Sequence, residues 1–570
     1  MTNKTYRFAI IEQFLADGIE YMFGNPGTVE QGFLDALAAY PQMKYILTLQ
    51  ESVALMTADG YARATRKPAL VQIHSSPGLG NTIGAMYQAL RGHAPLVIIG
   101  GDAGLKYLPL EAQMYGDLVA MAEPVTKWAT MVTDAASILR VLRRAIKIAA
   151  TPPMGPVYVC LPADILDMPV VEEVCPTFIP STRVVPGDGF IQQAASMLAN
   201  ARKPMIFMGD GVAYSEAQEE LTRLAEILGA EVWGVDSGEL NMSYAHPLYQ
   251  GQTGHMFGEG SYPVTSKGDV NFICGTYMVP EVFGRLENIY APDAKVIHVD
   301  LNAHEIGKNH PVDLGVVSDP KLTMKLLAEA LQAIMTAEQK DAAKRRTEEL
   351  RTAKEQKLVQ QKEADKKVRD EVPLQTSRFM EELAALLPDD AIIFDEALTS
   401  SPPLTRYCPP KKPGHFFQTR GGSLGVGIPG ALGAKLANPA KTVIGFTGDG
   451  GSMYTIQALW TAAHHNIGAK FIICNNQSYM LLKLNVLQYW KDQVGVEEHD
   501  FPSPFSLTDP IIDFVALSES MGVPGIKVET PDQVRPAIEN ALAHDGPFLI
   551  DMVVGCQVPG SKMKTCKCGQ

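Results

Sequence analysis

The chain has 570 residues, 63 acidic against 49 basic side chains and a formal charge of −14; at roughly 100–200 residues per domain, three to five domains are expected. Its 46% hydrophobic and 20% charged residues exclude a mostly disordered chain, and the acidic balance argues against a nucleic-acid partner. No apolar run of about 18 residues or more suggests a membrane span, while eight cysteines and an N-terminus without a signal-peptide pattern suggest a cytoplasmic protein.

In chain order, apolar β-rich runs alternate with helical patterns. The spacing predicts a helix around Phe8–Leu15, a strand at Tyr45–Thr48 and a helix from Glu51. A strand at Ala69–His74, a helix from near Gly80 and a strand at Leu96–Gly100 follow. The strand Gly155–Leu161 and a Pro/Thr-rich loop near 176–186 close a first segment, 1–180. A second, 187–335, holds strands at Pro204–Met208 and Lys295–Val299. Residues 337–371 then carry 11 basic and 9 acidic side chains without Gly or Pro, which reads as a solvated helical linker over 336–372. The third segment, 373–570, holds strands at Ala391–Phe394, Thr442–Thr447 and Lys470–Cys474. Such alternation builds βαβ units and parallel sheets covered by helices. The first and third segments could be two copies of one layout.

The most informative stretch runs from Val443 to Leu482. An apolar strand delivers Gly448-Asp449-Gly450-Gly451-Ser452; after residues 451–474, a second strand delivers Asn475-Asn476-Gln477-Ser478-Tyr479. Both loops leave the carboxyl ends of strands, where open α/β sheets bind ligands. Asp449, the side-chain oxygen of Asn476 and the Ser478 carbonyl are hard oxygen ligands suited to Mg²⁺ or Ca²⁺. The glycines let backbone N–H groups approach an anion. Gly209-Asp210-Gly211 also follows a strand, but no Asn-Asn lies at the matching distance, and it is read as an ordinary turn.

Gly448-Asp449-Gly450 followed at this spacing by Asn475-Asn476 resembles the thiamin diphosphate fingerprint. Nearly the whole chain resembles the thiamin diphosphate-dependent 2-oxo acid decarboxylase and acetolactate synthase superfamily, closest in motif texture to the benzoylformate decarboxylases. The resemblance implies an α/β protein of three doubly wound parallel-sheet domains: pyrimidine-binding (1–180), central (187–335) and diphosphate-binding (373–570). It implies thiamin diphosphate with Mg²⁺, or Ca²⁺ in its place, and contacts to the cofactor from Gly450, Gly451, Ser452 and Tyr479.

By the same resemblance Glu51 is the carboxylate on the aminopyrimidine N1′, although a lone Glu opening a helix also suits the macrodipole. The Gly422 carbonyl would accept from the 4′-amino group, Leu424 would wedge the bent cofactor, and Thr399 would donate to the diphosphate. On the substrate side, Thr28 would meet the carboxylate, unless it caps a helix beginning at Val29, and His74 would transfer protons. Pro26, Leu481 and Leu482 would make an apolar pocket. Gly78-Leu79-Gly80-Asn81 is read as a turn near the site. The stretch 275–282 lacks the central-domain histidine of benzoylformate decarboxylases, which favours interception of the carbanion and hence carboligation. His464-His465 is read as packing, and Cys566 and Cys568 as part of a flexible terminus.

The expected activity is decarboxylation of a 2-oxo acid with carboligation to an aldehyde acceptor, by a homodimer at least and a homotetramer by family habit. Alternatives are an acetolactate synthase-type transferase, a 2-hydroxyacyl-CoA lyase, a flavin oxidase or a non-catalytic binding protein.

Overall fold

A computed structural model describes residues 4–278, 280–496, 499–556 and 558. Cys566, Cys568, Met1–Asn3 and Val279 lie outside them. Three six-stranded sheets, each wholly parallel, form along the chain. The first holds β1 (Tyr21–Gly24), β2 (Lys44–Leu47), β3 (Ala69–Ile73), β4 (Leu96–Asp102), β5 (Trp128–Met131) and β6 (Val157–Pro162). The second holds β7 (Pro204–Met208), β8 (Glu231–Val235), β9 (Tyr249–Thr253), β10 (Val270–Cys274), β11 (Lys295–Asp300) and β12 (Leu314–Val317). The third holds β13 (Ile392–Glu396), β14 (Phe416–Gln418), β15 (Val443–Gly448), β16 (Lys470–Asn475), β17 (Gly525–Val528) and β18 (Phe548–Val553).

The first sheet is ordered β2-β1-β3-β4-β6-β5 and the third β14-β13-β15-β16-β18-β17. These are the same wiring, so the similarity expected between the two segments is present in the strand order. The middle sheet runs β9-β8-β7-β10-β11-β12, the 3-2-1-4-5-6 order of one class of doubly wound fold. Central strands such as β3, β7 and β13 are buried along their whole length, as parallel strands covered on both faces must be.

The first and third units share one hydrophobic core, which runs from Phe23 and Val53 through Leu432 and Phe471 to Leu549. Its axis is the contact between helices Glu51–Thr65 and Gly427–Ala437. A Cβ on Gly60 would lie 2.1 Å from the Gly430 carbonyl oxygen, and one on Gly433 would lie 2.0 Å from that of Thr57. The two backbones touch because glycine stands on both sides.

Residues Ala337–Lys367 form one 31-residue helix whose N-terminus is closed by a Thr336/Gln339 capping box. It is highly charged, as expected, but it is docked rather than merely solvated. Lys354 Nζ donates to the carbonyls of Tyr244 (2.7 Å), His246 (2.8 Å) and Tyr249 (2.6 Å), and Arg406 pairs with Asp365 at 2.5 Å. Among the described residues no helix is long and apolar enough to cross a membrane.

Gly60→Ala inserts a methyl between two backbones that cannot step aside. We expect a loss of roughly 1–3 kcal/mol by thermal or denaturant unfolding. Gly260→Ala, which meets nothing within 4 Å, serves as the unaffected control.

Candidate active site

Glu51 opens its helix, but the cap is made by Gln50. The Gln50 side-chain carbonyl accepts the N–H groups of Ser52 (2.7 Å) and Val53 (3.2 Å). The Glu51 carboxylate is thereby released from capping and is held from outside by Asn81, whose Nδ2 donates to Oε2 at 3.0 Å. A Cβ on Gly78 would lie 3.0 Å from Glu51 Oε1. Gly78 and Asn81 belong to the helix Ser75–Arg91, which begins earlier than Gly80. The run 78–81 is therefore helix, not turn, and Gly78 lets that helix approach Glu51.

His74 stands directly before the same helix. Its Nδ1 is 2.9 Å from Glu30 Oε2, and Glu30 Oε1 accepts the Gly101 N–H at 2.9 Å. Burial pushes the Glu30 carboxyl upward, against the opposing pull of His74 and Gly101. Gly27 leaves room for the pair, since a Cβ there would fall 2.0 Å from His74 Nδ1. Pro26 and Thr28 are exposed on the same loop. The short helix beyond it is Gln31–Ala36, with Glu30 in the cap position and no side-chain cap bond, so Thr28 does not cap a helix from Val29. Sequence reasoning missed Glu30 and Asn81, because each is defined by a partner far away along the chain.

In the third unit, β15 and β16 pair in register with Gly448 beside Cys474, which sets the Asp449 and Asn476 loops side by side. Asp449 Oδ1 accepts the Gly450 N–H at 2.7 Å and Oδ2 the Ser478 N–H at 3.2 Å. Burial pushes its carboxyl up to about 6, opposed by those amides. The Asn476 Oδ1 atom is buried without a hydrogen-bond partner. Asn475 has a structural task, its Nδ2 donating to Asp551 at 3.0 Å. The Tyr479 ring lies 2.4 Å from where a Gly450 Cβ would stand, so only glycine fits there. Such an oxygen-rich corner suits a hard divalent cation, and the orphaned amide oxygen is what such an ion would satisfy.

Gly421, Gly422 and Gly425 have φ of +65°, +74° and +101°, and nothing lies within 4 Å of a Gly422 Cβ. This loop carries Leu424, which is half-buried. A cavity of about 520 Å³ between the central and third units is lined by Thr399, Leu398, Leu481, Glu396, Arg420 and the central unit's His255. Thr399 and Leu481 thus share a wall. Leu482 is 43% exposed and Pro26 is exposed on the first unit; neither is on that wall. Met480 turns inward. His255 follows β9, one strand before the 275–282 stretch that lacks a histidine, and nothing local to it signals the cavity. His465 Nε2 accepts the Leu47 N–H at 2.8 Å and His464 stacks on Trp460, so this pair packs rather than ligates.

Asp210 is not in an ordinary turn. It begins the short helix Asp210–Tyr214, accepts the N–H groups of Gly238 (3.0 Å) and Glu239 (3.1 Å), and faces Arg420 at 3.3 Å. Arg420 also pairs with Asp236 at 2.7 Å.

Three thiamine pyrophosphate enzyme families match in order. The N-terminal TPP binding domain matches residues 4–121, the central domain 191–327 and the C-terminal TPP binding domain 399–552. A probable acetolactate synthase large subunit from Methanococcus aeolicus is 30% identical over 563 residues, covering 96% of this chain and 91% of that protein. Benzoylformate decarboxylase of Pseudomonas aeruginosa is 29% identical over 562 residues, covering 96% and 98%. Among solved structures, a thiamine diphosphate-dependent 4-hydroxybenzoylformate decarboxylase of Rhodococcus jostii superposes with a TM-score of 0.83 at 26% identity, covering 97% of this chain and all of that one.

Replacing Arg420 with Met strands the buried Asp210, while the half-buried Asp236 keeps Arg91 at 3.7 Å. Breaking a buried pair from one side costs about 3–5 kcal/mol, which we expect to read directly in the denaturant midpoint. An unchanged midpoint would show the pairing to be energetically idle.

Proposed function

Because the chain belongs to the thiamine pyrophosphate enzyme family, we propose that it decarboxylates a 2-oxo acid in the manner of a benzoylformate decarboxylase, with thiamin diphosphate and Mg²⁺ or Ca²⁺ as cofactors. The type of enzyme, decarboxylase or acetolactate synthase, follows from its relatives. The observation that carries the finer reading is that Asp449 and Asn476 follow the ends of two neighbouring paired strands, with the Asn476 amide oxygen buried and unpartnered. Asp449, that oxygen and the Ser478 carbonyl would hold the cation. Gly450, Gly451, Ser452, Tyr479 and Thr399 would hold the diphosphate.

When bound, thiamin diphosphate supplies the electron sink that loss of CO₂ from a 2-oxo acid requires. Glu51 would hold a proton at the aminopyrimidine N1′, with Asn81 keeping the carboxylate aimed. The Gly422 carbonyl would orient the 4′-amino group, and Leu424 would support the bend. His74, its Nδ1 turned to Glu30, keeps Nε2 for a proton, and the Thr28 hydroxyl would meet the substrate carboxylate. Leu481 on the cavity wall would exclude water, as would Pro26 and Leu482, exposed in the single chain, where a partner subunit covers them. Exclusion of water favours the charge-dispersed transition state over the carboxylate.

The hydrogen bonds of Glu51 and His74 stay within the first unit, and those of Asp449 within the third. Apolar side chains beside each half are exposed: Leu49 by 49%, Tyr87 by 41% and Tyr454 by 57%. These features support a homodimer at least, and a homotetramer, in which Glu51 faces Asp449 of the partner subunit. The 520 Å³ cavity favours a second reading alongside the first: transfer of the fragment to an aldehyde or second 2-oxo acid, as in an acetolactate synthase-type transferase.

A product-identified screen of aromatic, branched and short 2-oxo acids, with and without aldehyde, decides the matter; neither CO₂ nor a ligation product would sink the proposal. Glu51→Gln should lower kcat by about 10²–10⁴-fold while thiamin diphosphate still binds in calorimetry. Chelation should remove activity and added Mg²⁺ restore it.

A further inference from the structure

Glu396 ends β13 with 2% exposure, and no Lys, Arg or His among the described residues pairs with it. Its Oε1 accepts the Gly425 N–H, its Oε2 the Gly427 N–H at 2.6 Å and the Thr447 hydroxyl at 3.2 Å. Burial pushes its carboxyl up to about 7, opposed by these donors. An uncompensated buried carboxylate is costly, and here all of its bonds run to two loops other than its own. One is the Gly421–Gly427 loop, which presents Gly422 and Leu424. The other is the end of β15, where Thr447 immediately precedes Gly448 and Asp449.

The first loop cannot fix its own shape, since three of its residues are glycines at positive φ, the most permissive backbone available. It is held from outside, by Arg420 at its start, by Glu396 at its far end and by Thr455, whose hydroxyl donates to the Gly425 carbonyl. The fit at Glu396 is close: a Cβ on Gly427 would lie 2.9 Å from Glu396 Oε2 and 2.9 Å from the Thr447 Cβ, and one on Gly451 would lie 3.8 Å from Glu396 Oε1. Register enforces the arrangement, because Glu396 is paired with Thr447 across β13 and β15.

We propose that Glu396 is a positioning residue for the bound cofactor, its carboxylate setting the offset between the Gly422–Leu424 loop and the Asp449 loop. The two ends of thiamin diphosphate, pyrimidine and diphosphate, would be gripped by parts that this side chain bonds at once, with the Thr455–Gly425 bond as a second link between them. The inference rests on the function proposed above, and it assigns the bend of the cofactor to a group that need not touch the substrate.

The test uses the full chain with Mg²⁺ and the variant Glu396→Gln, which keeps size but replaces one acceptor by an amide donor. Calorimetry with thiamin diphosphate and, separately, with inorganic pyrophosphate resolves the two ends. Exchange of the cofactor C2 proton with D₂O, read by NMR at saturating cofactor without substrate, reports how well the amine is placed. We expect thiamin diphosphate affinity and C2 exchange each to fall by about tenfold or more, with pyrophosphate affinity within about twofold of wild type. Exchange and affinity equal to wild type overturn the proposal, as does an equal loss for pyrophosphate, which would confine Glu396 to the diphosphate loop. Thr447→Val removes only the hydroxyl bond and keeps the charge; it should slow exchange by about twofold, and unchanged exchange overturns the proposal even where Glu396→Gln does not fold. A wild-type protein that binds neither probe would instead overturn the cofactor reading itself.

Discussion

Two buried arginines meet three buried carboxylates and a fourth, half-buried one, Asp236, where the three units join, and the architecture depends on their being assembled together. Arg63, from the first unit, faces Asp59 at 3.6 Å and the central unit's Glu239 at 3.5 Å. It also donates to the carbonyls of Gly238 (2.7 Å) and Gln418 (3.1 Å), and its guanidinium lies over the rings of Phe394 and Phe417. Arg420, from the third unit, answers Asp210 and Asp236 of the second. A buried charge is tolerable only with its partner present, and most of these partners come from different units. No unit can therefore satisfy its own polar interior, and the relative placement of the three sheets is fixed by electrostatics as well as by the shared apolar core. The Gly422 loop begins at Arg420 and inherits that placement.

Charge has a second consequence at the carboxyl ends of the third sheet. Asp395, Glu396, Asp449 and Asp551 are all buried, and burial raises each of them. Carboxylates whose pKa is raised in the fold bind protons on folding, so their ionised forms cost stability from the unfolded pKa upward. A divalent cation at Asp449 would relieve part of that cost and couple ligand binding to stability.

Much of this was legible in the sequence. Apolar β-rich runs located the strands, and two polar loops after two such strands located the Asp449–Asn476 corner, because these signals are local. What escaped was of another kind. The Glu30–His74 pair spans 44 positions and the Asn81–Glu51 bond 30, and nothing near either residue announces the other. Gly78-Leu79-Gly80-Asn81 looked like a turn because glycine breaks helices in isolation; here Gly78 serves the close approach of Glu51, and tertiary contact overrides propensity. Asp210 looked idle because its cation, Arg420, lies in another unit. His255 escaped because it follows β9, one strand before 275–282, and meets the third unit's cavity wall only in the folded chain.

The long helix Ala337–Lys367 carries a consequence of its own. At about 1.5 Å per residue it spans roughly 46 Å, and it is fastened at intervals along its length. Its backbone at Ala343 meets Gly229, Lys354 is enclosed by three carbonyls, and Asp365 meets Arg406. Between these points its outward face is free to vary in composition. Its length is not: each residue added or removed turns everything beyond it by about 100° and swings the next fastening away from its socket. The segment works as a ruler, indifferent to what is written on it and intolerant of a missing division.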